Sequence, residues 1–338
     1  MNNKMDLTQA EGILEMIQAR TPSAAALALK NMGGALSNKL EKFEKEIIFL
    51  LANLEASIDF TTEDIQPVHY NDMKAGLTLV ISEVGELLKT FLPSQVAKLG
   101  LRTALVGKPN SGKSSLFNAL LGVSRSIVDE SPGTTRDTIE VEINLEDQLF
   151  CLVDTAGIRE AETTIERQGV ERTYDEIKGA DIVVYVIDGA LGLTNDDVER
   201  IKLLEKERVL ICLNKRDLSP NSKESLSRFG VGDYKCVTSS AKISQGTCDL
   251  QRALSEMAAP RRFGSEVEGA ISTLRQNEEL KKAYSSLNEA HEALAQEFSP
   301  ELISLSLREA LSSIQKLLGK NVSDEVMDQV FKEFCIGK

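Results

Sequence analysis

Arg102-Thr-Ala-Leu-Val106 runs directly into Gly107-Lys-Pro-Asn-Ser-Gly-Lys-Ser114, a short β-rich stretch opening a GxxxxGK[ST] loop. Such a loop cradles phosphates when it lies between a strand and a helix, and residues 114–121 carry helical spacing. The glycines let backbone N–H groups turn inward, Lys113 reaches the β- and γ-phosphates, and the Ser114 hydroxyl suits Mg²⁺. Outward from this loop the alternation repeats. Apolar, β-rich runs at 149–153, 182–187, 209–213 and 234–238 are separated by helical stretches such as 168–178 and 196–206. The pattern predicts an α/β P-loop domain with a mostly parallel, doubly wound sheet.

Further motifs fall at the ends of these strands, where sheets of this kind bind ligands. Asp154-Thr155-Ala156-Gly157 follows the run at 149–153. Its carboxylate can hold Mg²⁺ through water, and the Gly157 N–H can sense the γ-phosphate. Asn214-Lys215-Arg216-Asp217 follows 209–213, where Asp217 can accept from guanine N1–H and the 2-amino group while Asn214 faces the O6/N7 edge. Adenine offers Asp217 no such donor pair, and an unpaired buried carboxylate can reject an analogue by ~10⁴. GTP is therefore expected over ATP. Ser240-Ala241-Lys242 fits a backbone contact to guanine O6. Gly133-Thr134-Thr135-Arg136-Asp137 lies between the P-loop and Asp154, so a threonine there can close on Mg²⁺ and the γ-phosphate. The residue after Gly157 is Ile158, which cannot orient an attacking water. Hydrolysis must be slow, or be completed by another residue, a cation or a partner.

Helical periodicity flanks this domain. One stripe runs through Leu36, Leu40, Phe43, Ile47, Leu50, Leu54 and Ile58, a second from Leu77 to Phe91, where Pro93 and Gly100 are expected to break it. Helical spacing returns after Pro260, from Ile271 to Leu318. The predicted organisation is a helical first half at 1–98, a G domain at 99–261 and a helical second half at 262–338. The two one-sided helical halves are expected to pack together; two separate appendages are the alternative.

Composition narrows the class. The chain has 338 residues, 42% apolar and 27% charged, the usage of a folded globular protein. Its net charge of −13 is spread over all three segments, with no basic footprint, so any RNA client is expected to be held by local clusters or by a partner. Five scattered cysteines without CxxC spacing fit a reducing cytoplasm and no zinc site. No apolar run approaches a membrane span, and Asp6, Glu11 and Glu15 stand where a signal peptide would be apolar. A cytoplasmic protein is expected. His69 and His291 lie outside every motif.

The chain resembles the MnmE (TrmE) tRNA-modification GTPases over essentially its whole length. The matching pieces are Met5-Asp-Leu-Thr-Gln-Ala-Glu11, GKPNSGKSS (107–115), SPGTTRD (131–137), DTAGIRE (154–160), NKRD (214–217) and the terminal Phe334-Cys-Ile-Gly-Lys338. The resemblance implies GTP hydrolysis switched on by potassium and by homodimerisation of the G domains. It also implies a role in forming the carboxymethylaminomethyl-type C5 substituent of the wobble uridine in certain tRNAs, with a flavin-dependent MnmG (GidA)-like partner carrying FAD. It puts K⁺ at Asn110, Asp129, Ser131 and Thr134, and Mg²⁺ at Ser114 and Thr135. Ser111, Gly112, Ser115, Glu130, Pro132 and Gly133 join the nucleotide contacts, and Glu166 takes the catalytic, water-orienting role. By composition alone Glu166 reads as a solvated charge at a helix start.

Lys4 and Lys338 match positions that help hold folate (5-formyl-tetrahydrofolate) in the complete family architecture. The family's N-terminal folate-binding domain should be ending where this chain begins, so weak or absent folate binding and no independent tRNA modification are expected. Arg275-Gln276-Asn277 departs from the more basic triplet expected there. Cys335 has two readings: a thiol at the modification centre, as the resemblance implies, or a small apolar residue beneath Phe331 and Phe334. A different class of function, an Era/Der-like ribosome-assembly switch GTPase, shares the four G motifs. Against it stand the single G domain, the absence of a KH-type GxxG loop, and helices on both flanks.

Overall fold

The structure is a computed structural model that describes residues 5–59, 70–123, 139–154, 177–218, 229–261 and 267–320. The first elements are helices α1 (Leu7–Gln18), α2 (Pro22–Met32), α3 (Ala35–Asp59), α4 (Tyr70–Lys89) and α5 (Phe91–Leu99). There follow β1 (Leu101–Val106), α6 (Lys113–Val123), β2 (Ile139–Leu145), β3 (Gln148–Asp154), β4 (Ile182–Asp188), α7 (Asn195–Lys202), β5 (Val209–Asn214), β6 (Lys235–Thr238) and α8 (Ser244–Ala258). The last are α9 (Leu274–Ala295) and α10 (Pro300–Leu317). The chain divides into two compact units, Met1–Gln95 with Phe263–Lys338, and Val96–Arg262.

In the discontinuous helical unit, one core is built from both ends of the chain. Leu36, Leu40 and Ile47 of α3 and Leu77 and Val84 of α4 pack with Leu280 and Leu287 of α9 and Leu307 and Ile314 of α10. Each helix is amphipathic, so its apolar stripe is stable only against the others. Asp6 caps α1 in a reciprocal box with Gln9, and Thr273 caps α9 in the same way with Gln276. α1 docks through charge. The buried Glu11 carboxylate receives a bidentate pair from Arg275 Nε and Nη2, both at 2.8 Å, and a third bond from Gln276 Nε2 at 2.6 Å. The Met5–Glu11 stretch and the Arg275–Gln276 pair therefore form one clamp. The helical run breaks next to Pro93 as expected: α4 ends at Lys89, Pro93 sits in the first turn of α5, where its missing N–H is not needed, and α5 in turn stops before Gly100 with φ +79.

In the second unit a six-stranded sheet has the order β2-β3-β1-β4-β5-β6. All pairs are parallel except β2 with β3. Alternate strand residues feed two cores: Leu105, Val184, Val186, Leu210 and Cys212 face α6 and α8, while Val106, Val183, Tyr185, Ile211 and Leu213 face α7. The antiparallel β2 is absent from the sequence reading, although Ile139-Glu-Val-Glu-Ile-Asn-Leu145 alternates strictly. Its hairpin turn uses Glu146 and Asp147, with φ 49 and 63, in place of the glycine or asparagine that ordinarily marks such a turn. α7 also stops earlier than the predicted 206, at Lys202 with Leu203 as its C-cap.

Truncating the helical core is expected to be costly. Leu287→Ala should lower the unfolding free energy in urea by about 2–5 kcal/mol, while Leu305→Ala, at an exposed position of α10, should stay within about 0.5 kcal/mol.

Candidate functional site

Five parallel strands end on one edge of the sheet, and the motif residues lie in the loops beyond them. β1 has neighbours on both sides, β3 and β4, which makes its C-terminal end the switch point of the sheet. The loop from Gly107 to Gly112 leaves this end and opens α6, whose first-turn N–H groups have no intrahelical acceptors. Gly107 has φ +147 and Gly112 φ +94. A Cβ on Gly107 would overlap the Val186 carbonyl oxygen, and one on Gly112 the Asn214 amide nitrogen. Lys113 lies inside the loop, its ammonium donating to the carbonyls of Gly107 and Lys108, both at 2.9 Å. Ser114 and Ser115 are exposed on the first turn. Asp154 is the last residue of β3 and pairs in register with Leu105, one residue before the end of β1.

The base-side motifs interlock with this loop. Asn214, buried at the end of β5, donates from Nδ2 to the Ser111 carbonyl at 2.9 Å, which leaves one amide hydrogen for a ligand. Lys215, at φ +61, donates to the Asn110 carbonyl at 2.8 Å and to the Asp188 carboxylate at 2.6 Å. Burial pushes the Asp188 carboxyl up, but hydrogen bonds from Lys215 and the Ala190 N–H outweigh it and hold the group below its ordinary range. The Asp217 carboxylate is exposed and accepts from Ser240 Oγ at 2.8 Å, and that same oxygen of Ser240 accepts from the Lys242 N–H. The Ser239 carbonyl accepts from the Arg216 N–H, so the loops after β5 and β6 are tied together. Ala241 lies in the same loop.

Two buried polar atoms, Ser111 Oγ and Asn214 Oδ1, have no hydrogen-bond partner. Together with the glycine cradle they fit a polar ligand. Among the described residues no group of three or more His, Cys, Asp or Glu could hold a metal. The Ser114 hydroxyl, exposed in the first turn of α6, is a hard oxygen donor that fits Mg²⁺, an ion that takes only one or two protein ligands and completes its shell with water and phosphate. Asn110 is exposed at the loop tip, leaving its side-chain amide available while its carbonyl is taken by Lys215. Lys4, residues 129–135, residues 155–157, Glu166, Cys335 and Lys338 lie outside the described residues. Sequence reasoning missed Asp188, whose signal was a carboxylate ending a continuous apolar run. Buried Cys212 is no reactive thiol: burial pushes it up to about 12.

A profile of the MnmE helical domain matches residues 7–335. The chain is 35% identical over 344 residues to the tRNA modification GTPase MnmE of Natranaerobius thermophilus, covering 100% of this chain and 74% of that protein. It is 35% identical over 341 residues to the tRNA modification GTPase MnmE of Carboxydothermus hydrogenoformans, with the same coverage. The chain belongs to the MnmE family of tRNA modification GTPases. As a member of that family it is a GTP hydrolase that binds GTP and Mg²⁺. Among solved structures it is similar to the G domain of the T. maritima FeoB iron transporter, at 25% identity over 47% of this chain and 98% of that one, with a TM-score of 0.35. No described helix of this MnmE family member is long and apolar enough to cross a membrane.

Replacing the Asp217 acceptor pair by an amide should move base preference. Asp217→Asn should weaken GTP binding about 10²-fold or more and improve XTP binding, because Asn offers a donor to the xanthine 2-carbonyl; titration with fluorescent nucleotides checks both directions.

Proposed function

We propose that the chain is a potassium-activated GTP hydrolase acting in the cytoplasm on the C5 modification of the tRNA wobble uridine, of the carboxymethylaminomethyl type. It works with a flavin-dependent, MnmG (GidA)-like protein, and its G domains pair across a homodimer in the GTP state. The observation that carries the reading is the cross-bracing of the phosphate loop by Asn214 and Lys215, with Asp217 oriented by Ser240. One rigid edge thereby joins guanine selection to phosphate binding. Similarity to MnmE proteins over the whole of this chain and 74% of theirs supports this reading over an Era/Der-like switch.

In the proposed reaction Lys113 leaves the carbonyls of its own loop for the β- and γ-phosphates, and the first-turn N–H groups of α6 receive the phosphate oxygens. Ser114 and Thr135 would hold Mg²⁺, with the Asp154 carboxylate reaching it through water, and Asn110, Asp129, Ser131 and Thr134 would hold K⁺. When bound, these cations supply the positive charge that the γ-phosphate oxygens need in the transition state. Glu166 orients the water in place of Ile158. Lys4 and Lys338 match the folate site of the complete family architecture, which this chain is expected to fill weakly or not at all, and Cys335 is assigned to the modification chemistry.

Phosphate release from GTP, in matched potassium and sodium chloride across a range of protein concentrations, tests the reading. Turnover should be potassium-selective and rise per molecule with concentration. Asn110→Ala and Glu166→Ala should each lose about 10²- to 10³-fold, the scale of removing one transition-state stabiliser. Cation-indifferent, concentration-independent turnover would overturn the potassium-and-dimer mechanism.

A further inference from the structure

Asp197 is an acidic side chain that neither the G motifs nor the proposed chemistry uses, and it is almost wholly buried, with 5% of its side chain exposed. It lies in the first turn of α7. Four donors converge on it. Tyr185 Oη donates to Oδ1 at 3.0 Å, the Thr194 N–H and hydroxyl donate to Oδ2 at 3.0 and 2.7 Å, and the Lys108 ammonium lies 3.2 Å from the same Oδ2. Lys108 also donates to Thr194 Oγ1. Burial alone would push the Asp197 carboxyl up, but the bonds from Thr194, Lys108 and Tyr185 hold it below its ordinary range. It is therefore a buried anion at neutral pH.

The cation it binds is the second residue of the phosphate loop. The backbone carbonyl of Lys108 accepts from Lys113 Nζ at 2.9 Å and from the Ser111 N–H at 3.3 Å. The same residue thus presents one end to Asp197 and the other to the lysine that serves the phosphates. A capping aspartate needs only the Thr194 bonds; the ion pair to Lys108 is additional, and the accompanying Lys108–Thr194 bond spans 86 residues of the chain. Loop geometry of this kind is sensitive to its supporting contacts.

We infer that Asp197 is a positioning residue for nucleotide binding: through Lys108 it fixes the first half of the phosphate loop and keeps the Lys108 ammonium out of the phosphate cradle. The inference rests on the loop being the nucleotide site, so wild-type binding is measured first; failure there refutes that reading, whereas failure of the variants to differ refutes only this inference.

The test uses fluorescent GDP and GTP analogues on the full chain, with thermal unfolding of the nucleotide-free protein as the stability control. Lys108→Met removes the cation from a residue whose side chain is 38% exposed, and leaves the α7 cap in place, so it folds independently of the outcome for Asp197. It should weaken nucleotide affinity about tenfold, within the range of couplings between contacting residues, with the unfolding midpoint unchanged. Asp197→Asn should lose a similar factor, and the double variant should bind no worse than Asp197→Asn alone. Tyr185→Phe, which strips a different bond from the same carboxylate, should lower stability yet keep affinity within about twofold. Affinity within twofold of wild type for Lys108→Met, losses that multiply in the double variant, or an equal loss in Tyr185→Phe would each overturn the inference.

Discussion

Lys215 donates at once to the Asn110 carbonyl and the Asp188 carboxylate, while its neighbour Asn214 donates to the Ser111 carbonyl. These bonds hold the phosphate loop against the ends of β4 and β5. The rest of the nucleotide-binding edge depends on them. A phosphate loop is mostly backbone and glycine, with little side-chain packing to fix its path, so its shape must come from outside. The parallel sheet supplies that support because all its parallel strands deliver their C-terminal ends to one edge. Gly112 shows how close the approach is, since no Cβ fits between it and Asn214. Asp217, the residue proposed to select guanine, is braced from the other side by Ser240, so the proposed base and phosphate contacts share one framework.

The helical unit solves a different problem. Its two halves are separated in sequence by an entire folded unit, and neither half can bury its apolar stripe alone. The core formed by α3, α4, α9 and α10 therefore makes the fold of one half conditional on the other. Glu11 adds direction to this apolar association. A buried carboxylate with three donors from Arg275 and Gln276 is satisfied in one arrangement of α1 against α9, and an unpaired charge there would be strongly destabilising.

The G motifs were legible because each is contiguous and its chemistry resides in one loop: a glycine pair with Lys113, a carboxylate after an apolar run, an aspartate three residues after Asn214. The sheet was legible for a related reason, since strands buried on both faces read as continuous apolar runs. β2 escaped because its turn carries Glu146-Asp147, which gives no glycine or asparagine signal. Pro93 marked the break because proline is excluded from a helix interior but tolerated in a first turn; that the chain resumes as a helix at Phe91 is visible only in the fold.

The amino-acid sequence by itself determined the nucleotide class, the parallel α/β architecture and the helical flanks, because hydrophobic period and short motifs act between neighbours along the chain. Only the tertiary structure decided which polar side chains brace the loops and lock the helices: Asn214 to Ser111 across 103 residues, Arg275 to Glu11 across 264, Lys108 to Asp197 in the first turn of α7. Such pairs carry no local signature. Any of several lysines and carboxylates could serve, and the choice follows from strand register and helix docking, which place particular atoms within hydrogen-bonding distance.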